Sequence, residues 1–243
     1  MINKIIFLII VFLSNIIQCI TGFAGTVLAM PFSVMTVGYN TAKPILNVLG
    51  IAASVYIVAK DARYVNKKEF AKIVVVMLAG IAVGSFLNRL IGTESALLYK
   101  ILGCVVIAFA IINAYRFYTK KEDKKYPVFI SAALLIISGI VHGMFVCGGP
   151  LLVTYLSGVI KEKREFRATV SAVWIVLNTV IMLGDIRSGL FNLDLMILLA
   201  VSLAVLTAAL VVGNLIYKKM SRNVFLQLTY ALMLISGISL LVK

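Results

Sequence analysis

"TGFAGTVLAMP", Thr21–Pro31, breaks an apolar stretch that begins near the start of the chain. A continuous membrane helix has no use for two glycines, a threonine and a proline in such close order. Gly22 and Gly25 permit a tight turn and close backbone approach. A second break, "HGMFVCGGP", lies at His142–Pro150. Each is followed by a short apolar run, at about 24–38 and 147–160. An interrupted helix leaves backbone N–H and C=O groups unpaired. Lipid cannot satisfy them, so such backbone is covered by protein or lines a cavity. The two breaks therefore predict an all-α, polytopic transmembrane bundle with broken or short helices at glycine-rich junctions.

Composition agrees. The 243 residues are 62% hydrophobic and 13% charged, where soluble domains carry about 25% charged residues. The formal net charge of +14 does not imply a nucleic-acid partner, because cytoplasmic loops of membrane proteins concentrate Lys and Arg. The expected surroundings are a lipid bilayer, with no nucleic acid. Cys19, Cys104 and Cys147 show no metal spacing and read as small buried hydrophobes. The opening segment "MINKIIFLIIVFLSNIIQC" is followed by no small-x-small cleavage site, so it is expected to remain as a permanent helix.

Apolar runs separated by turn signals predict ten helical segments, near 4–22, 24–38, 42–60, 69–91, 95–117, 127–143, 147–160, 165–184, 192–216 and 223–242. Most reach the roughly 20 residues that cross the hydrocarbon. With each short run kept as a separate segment, the loops divide cleanly by charge. Seventeen of the 23 Lys and Arg residues, in Lys60–Lys72, Arg116–Lys125, Lys161–Arg167 and Lys218–Arg222, fall on one side. Six (Lys4, Lys43, Arg89, Lys100, Arg187 and Lys243) fall on the other. The basic side is expected in the cytoplasm and both termini outside. Merging each short run with its predecessor would bring the division near parity.

The two halves also match. "KPILNVLGIAASVYIVAKDAR", Lys43–Arg63, and "RATVSAVWIVLNTVIMLGDIR", Arg167–Arg187, are both 21 residues long. Each begins with a cation and ends in Asp-x-Arg. Asp61 and Arg63 correspond to Asp185 and Arg187 at an offset of 124, and Gly25 corresponds to Gly148 at an offset of 123. "GSFLNRL" from Gly84 parallels "GNLIYKK" from Gly213. Two repeats, 1–123 and 124–243, with five segments each, form one membrane domain. An odd number of crossings turns the second copy upside down. Inverted repeats are a recurring transporter architecture, with substrate sites near the midplane at discontinuous helices. The alternative is that the glycines serve only close helix packing.

Gly22-Phe23-Ala24-Gly25 followed by Pro31, and Gly143 through Gly148-Gly149-Pro150 followed by "LLVTYL", resemble the glycine-rich openings of the two copies in the sulfite exporter TauE/SafE family. Length, halves and basic loops fit across essentially the whole chain. Thr26 and Cys147 depart from that family's fuller triple-glycine form, and Thr154 stands where its second copy often has Pro. The resemblance implies a multi-pass permease of the cell (inner) membrane for sulfite, a sulfonate or a related small organic anion, working by alternating access. A homodimer is compatible with it.

Polar side chains inside the membrane are costly and are candidates for function. Helix starts at the junctions attract anions through their N–H groups and dipole. The expected anion contacts are Gln18, Thr21, Gly22, Gly25 and Thr26 at the first junction and His142, Gly143, Cys147, Gly148 and Gly149 at the second. Asn47, Ser171, Trp174 and Asn178 join them from facing segments. Ser54, Asn15, Thr154 and Tyr155 lie nearby. Neutral donors bind an oxyanion and still release it. His142 is the only histidine. Three roles fit it: hydrogen-bonding the anion, carrying a coupling proton, or simple packing. Lys43 and Arg167 read as cations snorkelling at matched helix starts, with attraction of anions at two entrances as the alternative. Asp61–Arg63 and Asp185–Arg187 read as helix caps at the membrane surfaces.

An intramembrane enzyme would need a catalytic constellation in a cavity. The sequence has no HExxH, no GxSxG and no acidic pair deep in a span. A phosphate loop GxxxxGK[ST] for an ATP-driven pump is also missing. No catalytic residue, metal site or cofactor is expected. A non-transporting membrane scaffold remains the bland alternative.

Overall fold

The computed structural model describes residues 2–91, 100, 103–104, 107–108, 110–112, 114–115, 118–119 and 127–242. The helices set out among the described residues are α1 Ile2–Thr21, α2 Ala24–Val37, α3 Tyr39–Asp61, α4 Lys67–Ile91, α5 Val128–Phe145, α6 Gly149–Val159, α7 Lys163–Arg187, α8 Leu193–Lys219 and α9 Arg222–Val242. A short 3₁₀ turn, Ala62–Tyr64, follows α3. Both breaks stand where the sequence puts them, and α2 and α6 are the short helices, with 14 and 11 residues. The segment expected at 95–117 lies largely outside the described residues.

Among the described residues six helical stretches are long and apolar enough to cross a bilayer: Ile2–Thr21, Tyr39–Tyr64, Lys67–Leu87, Val128–Phe145, Lys163–Arg187 and Leu193–Lys219. Helix α8 shows why these belong in lipid. Leu198, Leu206 and Leu210 are buried, while Ile197, Val201, Val211 and Leu215 on the other face are exposed. A helix that is apolar all round has no face suited to water. Its ends are set locally. The Asn192 side chain accepts the Leu195 N–H at 2.9 Å as an N-cap. Lys218 and Lys219 in the last turn complement the helix dipole.

Contacts divide the chain into two compact units. One contains Met1–Val65 and Arg167–Met220; the other contains Asn66–Phe166 and Ser221–Lys243. Each unit therefore takes helices from both sequence halves. The halves compare sequence and the units describe packing, so the two divisions answer different questions.

In the first unit α1 packs on α2 and α8, and α2 on α3. Gly213 of α8 lies where a Cβ would meet the Cys19 Cβ at 2.7 Å and the Ile16 carbonyl at 2.8 Å. In the second unit α4 packs on α5. Here two small-xxx-small pairs meet, Gly80 and Gly84 on α4 against Gly139 and Gly143 on α5. A Cβ on Gly80 would fall 2.5 Å from the Ile136 carbonyl, and one on Gly139 would fall 2.5 Å from the Met77 carbonyl. Glycine at these positions lets two backbones approach with nothing between them, the main means of helix association where lipid supplies no hydrophobic drive. Cys19 and Cys147 are buried as expected. Cys104 is exposed, which corrects the reading of all three as buried.

Candidate functional site

At the first junction α1 ends at Thr21, and Gly22 turns the chain with φ 84°. Its N–H donates to the Gln18 carbonyl at 2.7 Å. The Gln18 side chain then bridges the turn. Its Nε2 donates to the Gly22 carbonyl at 3.2 Å, and its Oε1 accepts the Gly25 N–H at 2.9 Å. Thr21 Oγ1 accepts the Phe23 and Ala24 N–H groups at 3.4 and 3.2 Å. The donors expected to face an anion at the start of α2 are thus engaged by two side chains of the same turn. Gly25 owes its identity to closeness. A Cβ there would lie 2.5 Å from the Gln18 Cβ and 2.6 Å from the Ser14 carbonyl.

The second junction has the same local plan in its own unit. Helix α5 ends at Phe145, and Val146 turns the chain with φ 56°. The Val146 N–H donates to the His142 carbonyl at 2.8 Å. A β-branched residue rarely occupies the left-handed region. Ser138 Oγ donates to the Gly148 carbonyl at 2.7 Å. A Cβ on Gly148 would meet the Ser138 carbonyl and, at 2.8 Å, the His142 Cβ. Ser14, Gln18 and Gly22 thus hold the places that Ser138, His142 and Val146 hold, at an offset of 124. The turn after them is one residue shorter at the second junction. Gln18 is thus the counterpart of His142. Gly143 packs against α4, where a Cβ would lie 2.6 Å from the Ile81 carbonyl.

Within the first unit, α3 and α7 run antiparallel and carry buried charged and polar groups along their length. Lys43 Nζ donates to Asp185 Oδ1 at 2.6 Å, and Arg167 donates from Nη2 to Asp61 Oδ2 at 2.8 Å. The cation at the start of each helix therefore meets the acid at the end of the other. These four side chains are at most 10% exposed. This corrects the reading of Lys43 and Arg167 as snorkelling and of the two aspartates as surface caps. The Arg167 guanidinium also donates from Nη1 to the Cys19 carbonyl at 2.9 Å and lies 3.5 Å from the centre of the Tyr217 ring.

Between the ion pairs lies a strip of neutral polar residues. Asn47, Ser54 and Ser171 are fully buried, and Trp174 and Asn178 nearly so. Asn47 Nδ2 donates to the Asn178 carbonyl at 3.0 Å. Asn47 Oδ1, Ser54 Oγ and Ser171 Oγ have no hydrogen-bond partner among the described residues, an arrangement that buried polar atoms seldom show without a ligand or water to complete it. Asn47 and Ser171 occupy the fifth place of their 21-residue segments, and Ser54 and Asn178 the twelfth. The first junction abuts this strip. A Cβ on Gly22 would lie 3.3 Å from Ser171 Oγ, and one on Gly50 would lie 2.9 Å from Asn178 Nδ2 and 3.7 Å from Thr26 Oγ1.

Of the expected contacts, Gln18, Thr21, Gly22, Gly25, Thr26, Asn47, Ser171, Trp174 and Asn178 thus belong to one unit. His142, Gly143, Cys147, Gly148 and Gly149 belong to the other. The second unit also holds a cluster that the sequence did not announce. Tyr155 of α6 donates to Glu69 Oε2 at 2.5 Å, and Lys72 donates to the Tyr155 hydroxyl at 2.6 Å and to both Glu69 oxygens at 3.2 Å. The clue was Glu69, the one acid of α4, set among Lys67, Lys68 and Lys72 just before the helix turns apolar.

No curated protein and no solved structure matches the chain. A family model does: sulfite exporter TauE/SafE, over residues 6–240. The broken helices, the apolar spans and this match agree, and the chain belongs to the sulfite exporter TauE/SafE family, a family of multi-pass membrane transporters.

Proposed function

We propose that this protein is a secondary transporter of the cell (inner) membrane that moves a small oxyanion, sulfite, a sulfonate or a related organic anion, by alternating access, without chemistry on the anion. The observation that carries this reading is the strip between α3 and α7. The Ser54 and Ser171 hydroxyls are buried donors without partners among the described residues, and the strip itself is neutral. A fixed positive charge there would hold an anion tightly; hydroxyls and amides bind it weakly enough to let it go. Asn47 Oδ1 can accept from a protonated oxygen such as that of hydrogensulfite.

The inverted repeat is part of the same proposal. Its support is the matched order of Ser14, Gln18, Gly22 and Gly25 with Ser138, His142, Val146 and Gly148, and of the polar places on α3 with those on α7. Gln18, Thr21, Gly22, Gly25 and Thr26 serve the anion by shaping the wall beside Ser171. His142, Gly143, Cys147, Gly148 and Gly149 have the corresponding role at the junction of the second unit. Purified protein in liposomes, loaded with a panel of sulfite, methanesulfonate, taurine, acetate and chloride, tests the reading. Saturable flux of an oxyanion supports it. A leak-level flux for the whole panel points to a scaffold, and a chemically altered anion points to an enzyme.

A further inference from the structure

The two ion pairs of the first unit are more than a clasp. Lys43 and Asp61 are 18 residues apart on α3, roughly 27 Å of helix, so the pairs bracket the polar strip at both ends of a membrane-sized span. Each is incomplete. Asp185 Oδ2 and Arg167 Nε are buried without a hydrogen-bond partner among the described residues. A carboxylate is itself a small oxyanion, presenting to Lys or Arg the same charge-assisted acceptors as a sulfite or sulfonate oxygen.

We propose that Asp61 and Asp185 are built-in competitors of the transported anion: each carboxylate occupies the cation at its end of the strip until the anion displaces it, so that Arg167–Asp61 and Lys43–Asp185 act as the two gates. This rests on the transport reading above. A gate opens when the anion takes over the cation and closes when the carboxylate takes it back. The exchange keeps the buried cation paired throughout, and the released carboxylate turns to the water that enters as its end opens, because a buried charge left alone is strongly unfavourable. The anion then passes from a charged gate to the neutral strip, where nothing holds it fast.

The consequence is specific. A cation occupied by its own carboxylate for all but about a tenth of the time shows the anion an apparent affinity about tenfold weaker than its intrinsic one. Asp61→Asn and Asp185→Asn should therefore tighten sulfite binding about tenfold or more, while lowering turnover because release stalls at that end. Without sulfite both variants should melt earlier than the parent, and saturating sulfite should restore the loss. The double variant Lys43→Asp with Asp185→Lys keeps an ion pair for stability and moves the cation to the other helix. It should fold like the parent and transport poorly. Binding of labelled sulfite and methanesulfonate to protein in detergent, with melting measured in the same samples, gives all the readouts. Unchanged or weaker affinity in both Asn variants, no recovery of melting with sulfite, or full transport by the charge-swapped protein would each overturn the gate assignment while leaving transport itself standing. A parent protein that binds and moves none of the panel refutes the transport reading, and the gates with it.

Discussion

Replacing Gly25 by alanine adds one methyl group at the tightest point of the first junction. The new Cβ would stand 2.5 Å from the Gln18 Cβ and 2.6 Å from the Ser14 carbonyl. One neighbour is backbone and the other is the stem of the side chain that ties the turn, so neither yields cheaply. Forcing a methyl group into packed space costs about 1–3 kcal/mol. Pushing Gln18 aside also weakens the 2.9 Å bond from the Gly25 N–H, about 1 kcal/mol more. Against this, alanine gains about 0.4–1 kcal/mol over glycine through the unfolded chain. The net loss is about 1–3.5 kcal/mol, or between two and three orders of magnitude in the folding equilibrium at the upper end. Gly184→Ala is the control. Its Cβ would meet nothing within 4 Å on α7, so it should gain up to about 1 kcal/mol. Equilibrium unfolding in mixed micelles measures both variants, and liposome flux is read in parallel. A Gly25→Ala protein as stable as the parent would refute the packing argument. If that stable protein were also inactive, the space at Gly25 would be the anion's, and glycine would be required there for room.

Ser54→Ala and Ser171→Ala remove buried hydroxyls that lack partners among the described residues, so stability should hold or rise slightly, while the apparent affinity for the transported anion drops several-fold; unchanged affinity in both would remove the strip from the site. Cysteines introduced at positions 121 and 218 should react only from the cytoplasm, in line with the basic side of the loops, and labelling of either from outside intact cells would reverse the topology. His142→Gln should weaken apparent affinity and leave the shape of the pH profile unchanged, since Gln18 already stands in the matching place of the first junction; a flattened profile would instead make His142 a proton carrier. Tyr155→Phe leaves Glu69 with one charge-assisted partner fewer and should cost about 1.5–3 kcal/mol in the same unfolding assay; an unchanged midpoint would mean the cluster adds nothing to stability.

The positions of the helices set out among the described residues were legible in the sequence by itself. Helix α2 was expected at 24–38 and spans Ala24–Val37; α6 was expected at 147–160 and spans Gly149–Val159. These limits follow from local causes: apolar runs set the helices, and Gly22, Gly38 and the Gly148–Pro150 stretch end or restart them. The family was also legible, because glycine spacing at the junctions is a local pattern. Partnerships were not. Lys43 and Asp185 are separated by 142 residues, and Arg167 and Asp61 by 106. Read one segment at a time, each looks like an ordinary charge at a helix end. Their pairing becomes visible only once α3 and α7 lie antiparallel, which brings the first residue of one 21-residue segment beside the last Asp of the other. The same holds for Gln18 as the counterpart of His142. A one-residue difference in the turn shifts the sequence register, and only the hydrogen bond of Gly22 and of Val146 to the residue four before it restores the match. Local chemistry decides where a helix begins and ends; which buried charge it meets depends on the helix packed beside it, and that is a property of the tertiary structure.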